Sequence, residues 1–129
     1  CKLGRIYTID SENRGMETDP TGRDAHELGA KLDAGKLRPS LVLGGFARAL
    51  LAVTAVGTFG AAKYTDNGWM QVPQGIDRYD DAKLRHWLKE KAGEPVDSDS
   101  QLQHAAHEAW NALARLDLMI REQEHVKQG

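Results

Sequence analysis

Between Asp97 and Asn111 the chain reads D-S-D-S-Q-L-Q-H-A-A-H-E-A-W-N, a polar loop that runs into a helical pattern carrying His104, His107 and Asn111. At about 100° per residue the three fall within roughly 60° of one another. Neutral imidazoles at i,i+3 can ligate one metal ion together, and an imidazole near neutral pH also serves as a general base. An amide offers both a donor and an acceptor, which suits the edge of a base or a sugar. A solvated helix face fits the spacing of the three equally well. Asp97 and Asp99 could add carboxylates to such a site, or sit at the positive end of the helix dipole.

A second group lies upstream in D-A-K-L-R-H, where Asp81, Arg85 and His86 follow one another at helical spacing. Asp81 and Arg85 point toward the apolar face of that helix, so burial is expected, and buried charge is usually paired or functional. The competing reading is an ordinary i,i+4 surface pair, worth a few tenths of a kcal/mol. A third element is G-K-L-R-P-S, Gly35 to Ser40, with Lys36 and Arg38 just before a helix start whose free N–H groups favour phosphate. It is not a Walker loop. Lys63 could add a phosphate contact and Trp69 a surface for base stacking, although Trp69 reads equally well as a hydrophobic plug.

Three helices must position these groups. Residues 1–35 mix charges, glycines and turn formers without an apolar period, so they read as an extended or poorly ordered arm that could wrap a partner subunit. Ser40 is a suitable N-cap for a helix through about Tyr64 that buries Leu43, Phe46, Leu50 and Val53. A loop from Thr65 to Asp77 carries Trp69. The second helix is predicted from about Arg78 to Ala92, with Asp80 and Asp81 in its first turn, Gly93 after its end, and Leu84, Leu88 and Ala92 on its buried face. The third begins at Ser100, in capping-box spacing with Gln103, and runs to about Glu124. Its expected packing seam is Leu102, Ala106, Ala109, Leu113, Leu116 and Ile120, with the histidines on the opposite side. The result is an all-α bundle of three main helices plus an N-terminal arm, with residues 36–125 as the helical domain. Three helices bury little between themselves and the first is rich in Gly and Ala, so a homodimer or homotetramer is expected, with the site near a subunit interface.

Composition sets the outer bounds. At 129 residues the chain suits one domain, and 17 basic against 19 acidic residues, a net charge of -2, argue against a general nucleic-acid binder. The single cysteine, Cys1, excludes an internal disulfide and a cysteine-based zinc site and fits a reducing, cytoplasmic setting. A start at Cys1 suggests a chain that is processed, trimmed or numbered from an internal point, with Met16 as an alternative start. From Leu41 to Ala62 the only charge is Arg48, a length that could cross a bilayer. Gly44, Gly45, Gly57, Gly60, Thr54 and Thr58 dilute it and no aromatic belt flanks it, so a buried central helix is the better reading. Residues 1–15 lack the apolar run of a secretory signal.

Several of these stretches occur together in one known family. G-A-K-L-D-A-G-K-L-R-P-S from Gly29 to Ser40, Gly60-A-A-Lys63-Tyr64, Asn67 with Trp69, Asp81-A-K-L-Arg85-His86, Gly93-Glu94, and Asp97 through Asn111 resemble the phage-encoded dATP/dGTP diphosphohydrolase N-terminal family. The similarity spans about Gly29 to Leu118. It implies an all-α fold related to the MazG-like nucleotide pyrophosphatases and hydrolysis of a purine deoxynucleoside triphosphate to monophosphate and pyrophosphate, used by phages to reshape the precursor pool of the host cytoplasm. It also implies Mg²⁺ or Mn²⁺ among helix-borne carboxylates. The E-x-x-E and E-x-x-D patterns of the wider superfamily are absent here; imidazoles stand in their place and favour Mn²⁺ or another transition metal.

The roles that follow place Lys36, Arg38 and Lys63 on the triphosphate, with Trp69 and Asn111 on the nucleoside. Arg85 would face the leaving pyrophosphate, with His86 beside it in the catalytic group. Asp81 with His104 or His107 would bind metal or orient the attacking water, His107 doubling as general base. The absent carboxylate quartet keeps a non-catalytic, nucleotide-sequestering protein as an alternative, and a helical assembly module is the third.

Overall fold

A computed structural model describes residues 17–128. Cys1, Met16 and the first part of the expected arm lie outside the described residues. The elements are α1 (Ser40–Leu43), α2 (Ala47–Lys63), a 3-10 turn (Gly68–Gln71), α3 (Gly75–Lys91) and α4 (His104–Gln128). Among the described residues there is no strand, only a single antiparallel bridge between Val96 and Gln103. The fold is all-α, with three main helices and a short one, as expected. No helix among the described residues is long and apolar enough to cross a membrane.

The chain divides into two units, up to Leu41 and from Val42 onward. In the first, the D-P-T-G stretch is organised by Asp19. Its carboxylate accepts the Thr21 backbone N–H and hydroxyl, both at 2.6 Å, and the Lys31 N–H at 2.9 Å. These bonds hold its carboxyl below the usual carboxylate range, the Thr21 hydroxyl contributing most. Gly22 closes the turn at φ +88°, where a side chain would be strained.

In the second unit, α3 and α4 form an antiparallel hairpin and α2 leans on α4. The register is set by small and aromatic groups. Gly75 stands where a Cβ would come within 2.7 Å of Leu118 Cδ1. Tyr79 meets Trp110 edge-on at 5.6 Å, and His86 reaches His104 and His107. Gly93, at φ +106°, ends α3 as expected, and the Glu94 N–H returns to the Lys89 carbonyl in the manner of a Schellman cap.

Several boundaries differ from expectation. The first helix is interrupted at Gly44–Phe46, because two glycines in succession hold helical backbone poorly. The second begins earlier, at Gly75, after Gln74 in the left-handed region. The third begins at His104 and not Ser100: Gln101 is left-handed at φ 63°, and the Ser100 hydroxyl accepts the Leu102 N–H and makes no capping box.

The buried faces are the larger correction. On α4 the packed side carries His104, Ala106, His107, Asn111 and Ala114; of the expected seam Ala106 is buried, while Leu113 and Leu116 are about half exposed and Ala109 is exposed. On α3, Leu84, Leu88 and Ala92 are exposed, and so are Asp81 and Arg85, which make no ion pair with each other. α2 is not a buried central helix: Val56 is its buried residue, and Leu43 and Phe46 on the segment before it are exposed. A helix that is apolar all round covers only one face when it has only α4 to lean on.

The α2–α4 contact turns on Gly57, whose Cβ position lies 3.3 Å from the Trp110 indole nitrogen. Trp110 is held edge-on by both Trp69 and Tyr79, so it cannot retreat. Gly57→Val is expected to destabilise the protein by about 1–3 kcal/mol, overpacking exceeding the fraction of a kcal/mol that valine gains over glycine in a helix. Urea unfolding followed by tryptophan fluorescence measures it.

Candidate functional site

The loop joining α3 to α4 is tied to itself by backbone bonds. Asp97 N–H donates to the Leu102 carbonyl at 2.8 Å, Gln101 N–H to the Asp97 carbonyl at 2.8 Å, and His104 N–H to the Pro95 carbonyl at 3.0 Å. The Asp97 carboxylate accepts the Ser100 N–H at 2.8 Å. A short loop so braced holds the Glu94 and Asp97 side chains against the first turn of α4, where two histidines emerge one turn apart.

His86 of α3 meets both. Its Nδ1 lies 2.8 Å from His104 Nδ1, and its ring stacks on His107 with centroids 4.4 Å apart and planes 9° off parallel. His104, fully buried, places Nε2 2.7 Å from Glu94 Oε2. A carboxylate only accepts, so His104 Nε2–H donates to Glu94 and its Nδ1 is bare. His107 Nε2 lies 2.6 Å from the Ser100 hydroxyl and 3.9 Å from Asp97 Oδ2, and Phe59 of α2 closes on its edge at 6.4 Å. Since Ser100 Oγ already accepts the Leu102 N–H, its proton is free for His107. His86, Asp97 and His104 each offer one ligand atom, all within 4.8 Å of one another.

The rings are held in the form a ligand needs. Burial pushes the His86 imidazole down to about 4, with His107 and His104 adding repulsion and Asp97 opposing. Burial likewise lowers His107, against the pull of Asp97. Burial works to raise the Asp97 carboxyl, yet the Ser100 N–H and hydroxyl, helped by His107 and His86, hold it below its ordinary value. His86, kept from protonation, and the ionised Asp97 are donors suited to a divalent ion, and His104 adds a second ring nitrogen to the group.

This cluster floors one end of a groove of about 1380 Å³ between α2, α3, α4 and the 3-10 turn, whose walls include Lys63, Asp81, Arg85, His86, Asp97, His107 and Asn111. His104 stands behind His86 and does not line it. The walls also carry the apolar side chains of Val53, Val56, Leu113, Leu116 and Ile120. Lys63 is bonded to Asp99 at 2.7 Å, an ion pair that raises the lysine above its ordinary value. Asp81 and Arg85 are exposed and have no partner among the described residues. Asn111 is buried and spends one amide N–H on the His107 carbonyl at 2.8 Å, leaving its oxygen without a hydrogen bond. Trp69 lines the groove with the Arg121 guanidinium over its ring at 5.7 Å and Trp110 edge-on at 6.2 Å, so much of its surface is already covered.

The groove thus gathers Lys63, Trp69, Asp81, Arg85, His86, His107 and Asn111 from the residues singled out by type and spacing. Lys36 and Arg38 belong to the N-terminal unit, where Lys36 lies 3.8 Å from Glu17. Of the expected metal set Asp81, His104 and His107, the convergent group contains His104, joined by His86 and Asp97. The sequence left Asp97 open between a site carboxylate and a helix-start one, placed Glu94 only in the family motif, and read Ser100 as a helix cap. The D-x-x-S spacing of an Asx-type turn was the available signal for Asp97, since such a turn fixes where the carboxylate points.

The depressed imidazoles make stability depend on pH in a defined sense. Between about 4, the folded value for His86, and 6.5, its ordinary one, the unfolded chain binds protons that the folded chain refuses. Stability is therefore full above this window and falls as pH drops through it, His107 adding in the same direction. The thermal midpoint should decline from pH 7 to pH 4.5, and His86→Asn should flatten that decline; an unchanged slope would remove the protonation argument.

A family model described as dATP/dGTP diphosphohydrolase, N-terminal, matches residues 26–128. No curated protein and no solved structure matches the chain. The matched stretch includes every helix and both sides of the histidine cluster, and the chain belongs to the dATP/dGTP diphosphohydrolase N-terminal family.

Proposed function

We propose that the helical unit is a nucleotide-binding domain that hydrolyses a purine deoxynucleoside triphosphate to the monophosphate and pyrophosphate. The observation that carries this reading is the convergence of His86, Asp97 and His104 at a groove that also presents Lys63 and Arg85. The family's name supplies the substrate class. A divalent ion, Mg²⁺ or Mn²⁺, held by the cluster would polarise a phosphate oxygen and lower the pKa of a bound water.

The chain's own groups account for the remaining needs of the reaction. Arg85, exposed and unpaired, is free to meet the charge that develops on the leaving pyrophosphate as the bond between the α-phosphorus and its bridging oxygen breaks. Lys63 can exchange Asp99 for a phosphate without leaving the groove. Asp81, on the groove wall with free carboxylate oxygens, orients the attacking water, and His107, stacked on His86 with centroids 4.4 Å apart, accepts its proton at Nε2 in exchange for the Ser100 hydroxyl. The Asn111 amide oxygen faces the nucleoside.

Incubation of the pure protein with dATP, dGTP and the ribonucleotides, with Mg²⁺ or Mn²⁺, should yield monophosphate and pyrophosphate from the purine deoxynucleotides. Asp81→Asn and His107→Ala should each lower turnover by roughly 10²-fold or more while leaving the helical circular dichroism unchanged. Full turnover in both variants would sink the assignment. Tight binding with intact nucleotide would instead identify a sequestering protein.

We also propose that the partner includes a second copy of this chain, as a homodimer or homotetramer. Among the described residues the buried apolar side chains are Val56, Ala106 and Ala114, while Leu51, Leu84, Leu88, Leu113 and Leu116 are exposed on the three main helices. Burying such faces is what association supplies. Light scattering after size exclusion should report a dimer or larger, and Leu113→Glu with Leu116→Glu should shift it toward monomer; a clean monomer for the unaltered chain would overturn the proposal.

A further inference from the structure

We infer that Glu94 is the outer carboxylate of a transition-metal site whose protein ligands are His86 Nδ1, His104 Nδ1 and an Asp97 oxygen, a site that selects a first-row transition ion over Mg²⁺. The inference rests on the proposed metal centre but not on catalysis.

His104 decides the geometry. Its ring is fully buried, so its orientation is imposed by packing, and its Nε2–H donates to Glu94 Oε2 at 2.7 Å. With Nε2 turned to Glu94, Nδ1 is the ring nitrogen that faces His86 Nδ1, 2.8 Å away. Two ring nitrogens at this separation either share one proton or occupy neighbouring positions around an ion about 2.1 Å from each. Asp97 supplies the third donor from the braced loop. A carboxylate behind a ligating imidazole is the usual means of setting its tautomer and raising its basicity, and Glu94 stands where that partner belongs.

The neighbours of the cluster narrow it further. His107 stacks flat on His86 and gives its Nε2 to Ser100, so it clamps the ligand ring and does not complete the set. Asp81 lines the groove outside the convergent group. Two imidazoles and one carboxylate are a mixed nitrogen and oxygen set. Mg²⁺ prefers oxygen alone and gives up water reluctantly, whereas Mn²⁺, Fe²⁺, Co²⁺ and Zn²⁺ accept imidazole readily.

The test uses the full chain, stripped of metal and free of nucleotide, titrated with Co²⁺ and followed by visible absorption. One equivalent is expected, displaced by Zn²⁺ or Mn²⁺ and retained against a large excess of Mg²⁺. Glu94 is half exposed, so Glu94→Gln should fold normally and weaken Co²⁺ binding roughly 10- to 100-fold. His104→Ala should abolish it, and Asp81→Asn should leave it unchanged. Parental affinity in Glu94→Gln, or ready displacement by Mg²⁺, would overturn the inference. Should the ion bind as expected while dATP and dGTP stay intact, the metal site stands and the proposed activity falls.

Discussion

Three imidazoles packed between two helices are the constraint on which the rest of this structure depends. Buried histidine costs free energy unless it is neutral and hydrogen-bonded, and His104 is buried completely. Its partners are His86 from α3 and Glu94 from the connecting loop. His107 in turn takes Ser100 and the face of His86. Satisfying these three rings sets the rotation of α3, the rotation of α4 and the path of the loop between them. Replacing His86 would leave the buried Nδ1 of His104 without its partner, and replacing His107 would strip the face of His86.

The polar interface has a consequence for the apolar residues. With the inward stripes of α3 and α4 given to Gly75, Tyr79, His86, His104, Ala106, His107, Asn111, Ala114 and Leu118, Leu84, Leu88, Leu113 and Leu116 are turned outward. α2 then meets α4 through Val56, Gly57 and Phe59, close enough to hold Trp110 and His107 yet leaving most of its own surface open. The groove is the space left between these helices. Its walls combine charged groups such as Lys63, Arg85 and Asp97 with Leu113, Leu116 and Ile120 of the displaced seam.

Much of the site was legible from residue types, and less of its geometry. Lys63, Asp81, Arg85, His86, His107 and Asn111 were visible as chemistry-bearing groups at helical spacing, and they line one groove. Asp97 was visible but left open between a site carboxylate and a helix-start one, because α4 was expected to begin at Ser100. The left-handed Gln101 delays that start to His104 and turns Asp97 into part of the cluster. Glu94 was visible only as part of the family motif, with nothing local to give it a role in the site. Its role depends on a contact across ten residues, made through a loop whose backbone bonds cannot be read from spacing.

The sequence by itself determined the all-α class, the approximate number and order of helices, the stop at Gly93 and the family, since these follow from local propensity, capping and motif order. Periodicity also grouped His104, His107 and Asn111 on one face. Which face of each helix is covered was decided only by the tertiary structure. A 3.6-residue period states which side chains lie together but not what lies opposite them, and here the opposing helix offered histidine and glycine where a leucine seam was expected. Burial went to the polar stripe because hydrogen bonds from His86, Glu94 and Ser100 satisfy it there, and the apolar stripe was left to the groove and to the outside of this chain.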